Sequence, residues 1–143
     1  MLRPDEVYWA AEAPSCSGEG YRIVWIRSSD KRAHDAATRS DRIERARTAL
    51  GELDESLRSR RCRLKSQAAV EDAATTILRE AGATRWVKAA VTDTVEFEHR
   101  QEQRGRPGKN THYRRIEHHY FSVAFEVDAA TVAYDAASDG CFP

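Results

Sequence analysis

Hydrophobic positions along this chain of 143 residues follow three rhythms, and each predicts an element. Over 21–27, Tyr21, Ile23 and Trp25 alternate with Arg22, Val24 and Ile26. Apolar, β-branched and aromatic groups on both faces predict a strand with a central place in a sheet. Between 43 and 57 the steps become three and four: Ile43, Ala46, Leu50, Leu53 and Leu57. That stripe predicts a helix over 31–61, begun by N-cap chemistry in Ser28-Ser29-Asp30. Gly51 costs it about 1 kcal/mol relative to alanine, and marks close packing or a kink. A second stripe, Val70, Ala73, Ala74, Ile77, Leu78 and Ala81, lies between Ser66 as cap and Gly82 as C′ residue. It predicts a helix over 67–81. Together the two make a helical hairpin over 30–82.

From Arg85 the period is two. Val87, Ala89, Val91, Val95 and Phe97 alternate with Lys88, Thr92, Thr94, Glu96 and Glu98, with Asp93 as the exception. One face is buried and the other wet. A second run returns from Ile116 to Val127. Its large residues occupy even positions at Ile116 and Tyr120, then odd ones at Phe121, Val123, Phe125 and Val127. The change of phase predicts a β-bulge between Tyr120 and Phe121. Asp128-Ala129-Ala130 reads as a turn into a last strand, Thr131-Val132-Ala133-Tyr134. Antiparallel strands are thus expected over 85–135, in one sheet of three to five that strand 21–27 joins. Residues 1–20 read as a leader or loop, with Val7-Tyr8-Trp9-Ala10 as a short strand. Over 136–143 a turn launches a strand with no partner. The fold class is α+β: a helical hairpin plus an antiparallel β-sheet.

Composition narrows the class. The chain is 41% hydrophobic and 32% charged, which suits a soluble single domain. Lys+Arg equals Asp+Glu at 23 each, so net charge gives no argument for nucleic acid. No apolar run reaches about 18 residues, so no membrane span is expected, and Met1-Leu2-Arg3-Pro4-Asp5 opens no signal peptide. Cys16, Cys62 and Cys141 are too scattered for a disulfide framework or a zinc site. A reducing cytoplasm follows.

Charge is local instead. Between 100 and 115, Arg100, Arg104, Arg106, Lys109, Arg114 and Arg115 face a single carboxylate, Glu102, with Tyr113 interleaved. Gly105, Pro107 and Gly108 forbid regular structure, so 100–112 reads as a basic loop at the tip of a hairpin. A two-stranded ribbon with such a tip tracks phosphates or enters a groove. These seven residues, Tyr113 included, are the candidate DNA contacts. The bland alternative is a solvated tip that keeps an edge soluble. Arg58-Ser59-Arg60-Arg61-Cys62-Arg63-Leu64-Lys65 reads first as a helix C-terminus, where cations meet unpaired carbonyls, and second as a phosphate contact.

Other chemistry finds little support. His99, His112, His118 and His119 cluster near Glu98 and Glu117, but His118 and His119 point to opposite faces of a strand. Asp135 and Asp139 read as Asx-turn residues rather than a metal-binding pair. Gly-x-Ser-x-Gly is absent, and Gly105/Gly108 is not followed by the helix a P-loop needs. No catalytic, cofactor-binding or metal residue is assigned, and no small-molecule substrate or membrane partner is expected.

Several blocks in order resemble the bacterial insertion-sequence transposases of the DDE type: Tyr21-Arg22-Ile23-Val24-Trp25 with Ser28-Ser29, Arg42-Ile43-Glu44-Arg45-Ala46, Ala83-Thr84-Arg85-Trp86-Val87, Arg104-Gly105-Arg106-Pro107-Gly108 before Thr111-His112-Tyr113-Arg114, and Asp139-Gly140-Cys141-Phe142-Pro143. The resemblance covers about 20–143. It implies the insertion region of an RNase H-like domain, interrupted by β-rich structure that grips the transposon end. The family's first two catalytic aspartates lie upstream of such a region and its glutamate downstream, so the Mg²⁺ or Mn²⁺ they hold belongs to the parent enzyme. The resemblance therefore implies a truncated, partial domain with DNA as partner and no strand-transfer activity of its own. The alternative is a small α+β interaction module that forms a homodimer through the Leu50, Leu53 and Leu57 face.

Overall fold

The computed structural model describes residues 7–12, 18, 20–21, 24–59, 61–102 and 104–142. Much of the expected leader, Cys16, Arg60 and Gln103 lie outside the described residues, as do Arg22 and Ile23 of the first predicted strand. Among the described residues, five strands and three helices follow in the order β1 (Tyr8–Glu12), β2 (Val24–Ser28), α1 (Ser29–Leu57), α2 (Gln67–Ala81), β3 (Val87–Gln101), β4 (Tyr113–Val127), α3 (Ala129–Ala136) and β5 (Cys141–Phe142). The class is α+β, with antiparallel strands throughout.

The strands form two sheets, not one. The order β1-β2-β5 makes a small sheet, and β3-β4 stand apart as a two-stranded ribbon. The first predicted strand is therefore central, as its two apolar faces imply, but it does not join the hairpin. Nor does the C-terminal block lack a partner: Ile26 pairs with Phe142 and Arg27 with Cys141.

The helical hairpin matches its stripes. Ser28 caps α1 by accepting from the Lys31 amide, and Ser66 caps α2 by accepting from that of Ala69. Gly82 closes α2 at φ 65°, the left-handed conformation expected of its position. α1 ends at Leu57, four residues before the expected boundary. It passes through Gly51 unbroken, and a Cβ there would meet nothing within 4 Å. Close packing therefore does not explain that glycine.

The core forms where the two helices cover one face of the ribbon. Ala46 and Leu50 of α1, Val70, Ala74 and Leu78 of α2, Ala83, Val87 of β3 and Val123 of β4 are buried together. Ile43, Leu53 and Leu57 pack against them. The seam that offered a dimer face is occupied inside the chain, with Leu50 at 0% exposure.

The ribbon contains no bulge. Its fifteen pairs run without a break from Val87↔Val127 to Gln101↔Tyr113. Odd positions face the helices on both strands. Phe121, Val123 and Phe125 are covered, whereas His119, Glu117 and Arg115 on the same face lie beyond the helices and are exposed. The phase change in the sequence reports the end of the core, not a slip of the backbone. At about 3.3 Å per residue the ribbon is roughly 50 Å long, and its outer half stands in solvent on both faces.

The expected strand 131–134 is a helix. Asp128 caps α3 by accepting from the Thr131 amide at 3.1 Å, and the alanines around Thr131 and Val132 favour a helix once it starts. Asp135 and Asp139 are not Asx-turn residues. Asp135 accepts from Arg85 at 2.6 and 2.8 Å and from the Trp86 indole at 2.7 Å. Asp139, 7% exposed, accepts hydrogen bonds from Nη1 and Nη2 of Arg39 at 2.7 and 2.6 Å. Gly140 then sits at φ 79°, bonded through its amide to Asp35 and through its carbonyl to the Ser28 amide.

Candidate nucleic-acid interface

The ribbon brings the sequence-predicted residues to one end of the molecule. Arg100 and Arg114 face each other across the strands, one pair from the tip. Direct cross-strand pairing of like charges is destabilising. Here it is retained with both side chains exposed. Gln101 and Tyr113 form the last pair, so the loop runs over 102–112 and Arg100 belongs to the strand rather than to the expected loop of 100–112. The loop is tied at its neck by the Glu102 amide donating to His112 at 3.0 Å, and at its tip by the Thr111 amide donating to Gly108 at 3.1 Å. Gly105 has φ 139°, where a side chain would be strained. These constraints hold Arg104, Arg106 and Lys109 out, all exposed.

Side-chain alternation splits the seven candidates between faces. Arg100 and Arg114 occupy the face turned away from the helices, and Tyr113 and Arg115 the other. Arg115 has its guanidinium carbon 3.6 Å from the centre of the Phe97 ring and its Nη2 3.7 Å from Glu117 Oε1. It is partly neutralised and fixed in orientation. Among the described residues, Arg100, Arg104, Arg106, Lys109 and Arg114 have no ion-pair partner. Phe97 escaped the sequence reading as part of the site, although its odd position shares a face with Arg115.

Towards the helices the ribbon changes character. His118 meets Glu98 at 3.0 Å on one face and His119 meets Asp93 at 2.8 Å on the other. The adjacent histidines thus diverge, and His99 and His112 do not join either of them among the described contacts. The charge gradient runs from balanced at the core to cationic at the tip, which is how a projecting arm presents itself to a polyanion.

Three carboxylates, Asp35, Asp135 and Asp139, line one cleft. Cations hold Asp35, Asp135 and Asp139, through Lys31, Arg85 and Arg39 respectively. The Asp35 carboxyl is depressed, first by its bond from Lys31 and then by that from the Gly140 amide. Arg85 likewise lowers Asp135, with the Trp86 indole adding to it.

Comparison with models of protein families, with curated proteins and with solved structures found no match. Among the described residues no helix is long and apolar enough to cross a membrane.

Proposed function

We propose that the chain is a DNA-contacting segment related to the DDE-type insertion-sequence transposases, and that its β3-β4 ribbon is the contact element. In this reading the arm positions DNA, and the cutting and joining chemistry belongs to carboxylates elsewhere in a larger enzyme. The chain itself has no strand-transfer activity, and it acts in the cytoplasm, at the nucleoid. One observation carries the proposal: Arg100 and Arg114 are paired across an exposed ribbon with no ion pair to an acid among the described residues, directly below three more cations. An arm built only for solubility gains nothing from opposing two arginines, whereas a phosphate between them removes the repulsion.

The test is duplex binding by fluorescence anisotropy across a salt series. Each phosphate contact contributes about 0.9 to the slope of log affinity against log salt. Replacing Arg104, Arg106 and Lys109 with alanine is expected to lower that slope by about 3. A wild-type chain that shows no retention at about 50 mM salt refutes the proposal.

A further inference from the structure

The loop joining α1 to α2 holds a second concentration of positive charge. Between Glu55 and Glu71 the chain has no carboxylate, yet it carries Arg58, Arg60, Arg61, Arg63 and Lys65. A helix C-terminus explains such cations only if they lie on the helix. α1 stops at Leu57, and its last turn holds no basic residue. Arg58 turns back onto Asp54 at 2.7 Å. Among the described residues, Arg61, Arg63 and Lys65 have no ion-pair partner.

This loop is pinned. Leu64 packs against the core, and the Cys62 amide donates to Ser59 at 3.0 Å. Exposure consequently alternates, with Cys62 and Leu64 half-buried and Arg61, Arg63 and Lys65 exposed. Alternate residues of an extended chain lie about 6–7 Å apart, close to the repeat of phosphates along one strand of nucleic acid. The loop runs beside the ribbon. Of the row, Lys65 lines a cleft of about 830 Å³ together with Arg58, opposite Glu96, Phe97, Glu98, His118 and Tyr120 of the ribbon. Of the ribbon's nearby acids, Glu98 is engaged by His118 and Glu117 by Arg115, which leaves Glu96 as the exposed carboxylate on that wall. From His118 to Arg114 is about 13 Å of strand, or roughly four base pairs of rise.

We propose that Arg61, Arg63 and Lys65 form a second phosphate-contact surface, so that one DNA duplex is held both at the ribbon tip and by this loop beside the middle of the ribbon. The inference rests on the ribbon reading above and extends it to side chains that have no ion-pair partner among the described residues. The full chain is tested on a short labelled duplex over a salt series, with far-UV circular dichroism confirming that each variant folds. Arg61→Ala/Arg63→Ala/Lys65→Ala is expected to lower the salt slope by about 2 to 3, and Arg61→Lys/Arg63→Lys to keep it. If the alanine variant melts early, Arg61→Gln/Arg63→Gln serves instead, with an expected loss of about 2. A loop variant with the wild-type slope, beside a tip variant that has lost slope, overturns the second surface and leaves the ribbon reading standing. A wild type that does not bind overturns both.

Discussion

Replacing Asp139 with alanine should destabilise the protein far more than a surface ion pair would. The side chains of Arg39 and Asp139 are 11% and 9% exposed, and two hydrogen bonds join them at 2.7 and 2.6 Å. The partner's first effect is visible in Arg39, whose proton is held more tightly because Asp139 accepts its hydrogen bonds. Exposed pairs contribute about 0–1 kcal/mol. Removing one member of a buried pair strands the other charge and costs about 3–5 kcal/mol. Against a total stability of about 5–15 kcal/mol, that is about a fifth or more. Each kcal/mol moves the melting temperature of a domain this size by about 2–4 °C, so a drop of roughly 6–20 °C is expected. Urea unfolding of Asp139→Ala, Arg39→Ala and the double variant forms a closed cycle. The double variant should cost less than the sum of the singles, because neither charge is stranded. Single-variant losses below about 1 kcal/mol, or a coupling near zero, would refute the reasoning.

Three further outcomes are expected. Gly140→Ala places a Cβ 2.5 Å from the Ser28 carbonyl oxygen at φ 79°, so it should lower the melting temperature and loosen β5 in hydrogen exchange. Gly51→Ala meets nothing within 4 Å in mid-helix, so urea unfolding should show a gain of about 1 kcal/mol. Asp128 is held down at about 2, first by Lys88 and then by the Thr131 amide of the α3 cap. A folded pKa below the unfolded one stabilises above about pH 4 and is lost as pH falls towards 2, so the Thr131 amide should lose protection across that window, and Asp128→Asn should remove the dependence.

The helices were legible because their information is local. Ser28, Ser66 and Gly82 punctuate the chain with groups that satisfy orphan backbone atoms, and the stripes between them match the buried residues. The ribbon strands were legible for the same reason, through alternation. Three things were not. The inner face of β4 turns polar at His119 because α1 and α2 end there, and no local pattern distinguishes an uncovered face from a bulged one. Residues 129–136 chose a helix over a strand through one cap, Asp128, which resembles a turn residue in isolation. Arg39–Asp139 and the pairing of β5 with β2 join residues far apart in sequence, so only the folded chain displays them. Within the candidate interface, the basic residues were evident from sequence. Their division between two faces, and the unrelieved opposition of Arg100 and Arg114, required the register.

The most direct measurement is a backbone amide NMR titration of the labelled chain with a short DNA duplex at low salt. We expect the strongest shifts in 100–115, at Arg100, Arg104, Arg106, Lys109 and Arg114, with a second set at 61–65 and the buried faces of α1 and α2 unmoved. Perturbations that spare the ribbon tip, or centre on the β1-β2-β5 sheet instead, would contradict the ribbon as the contact element.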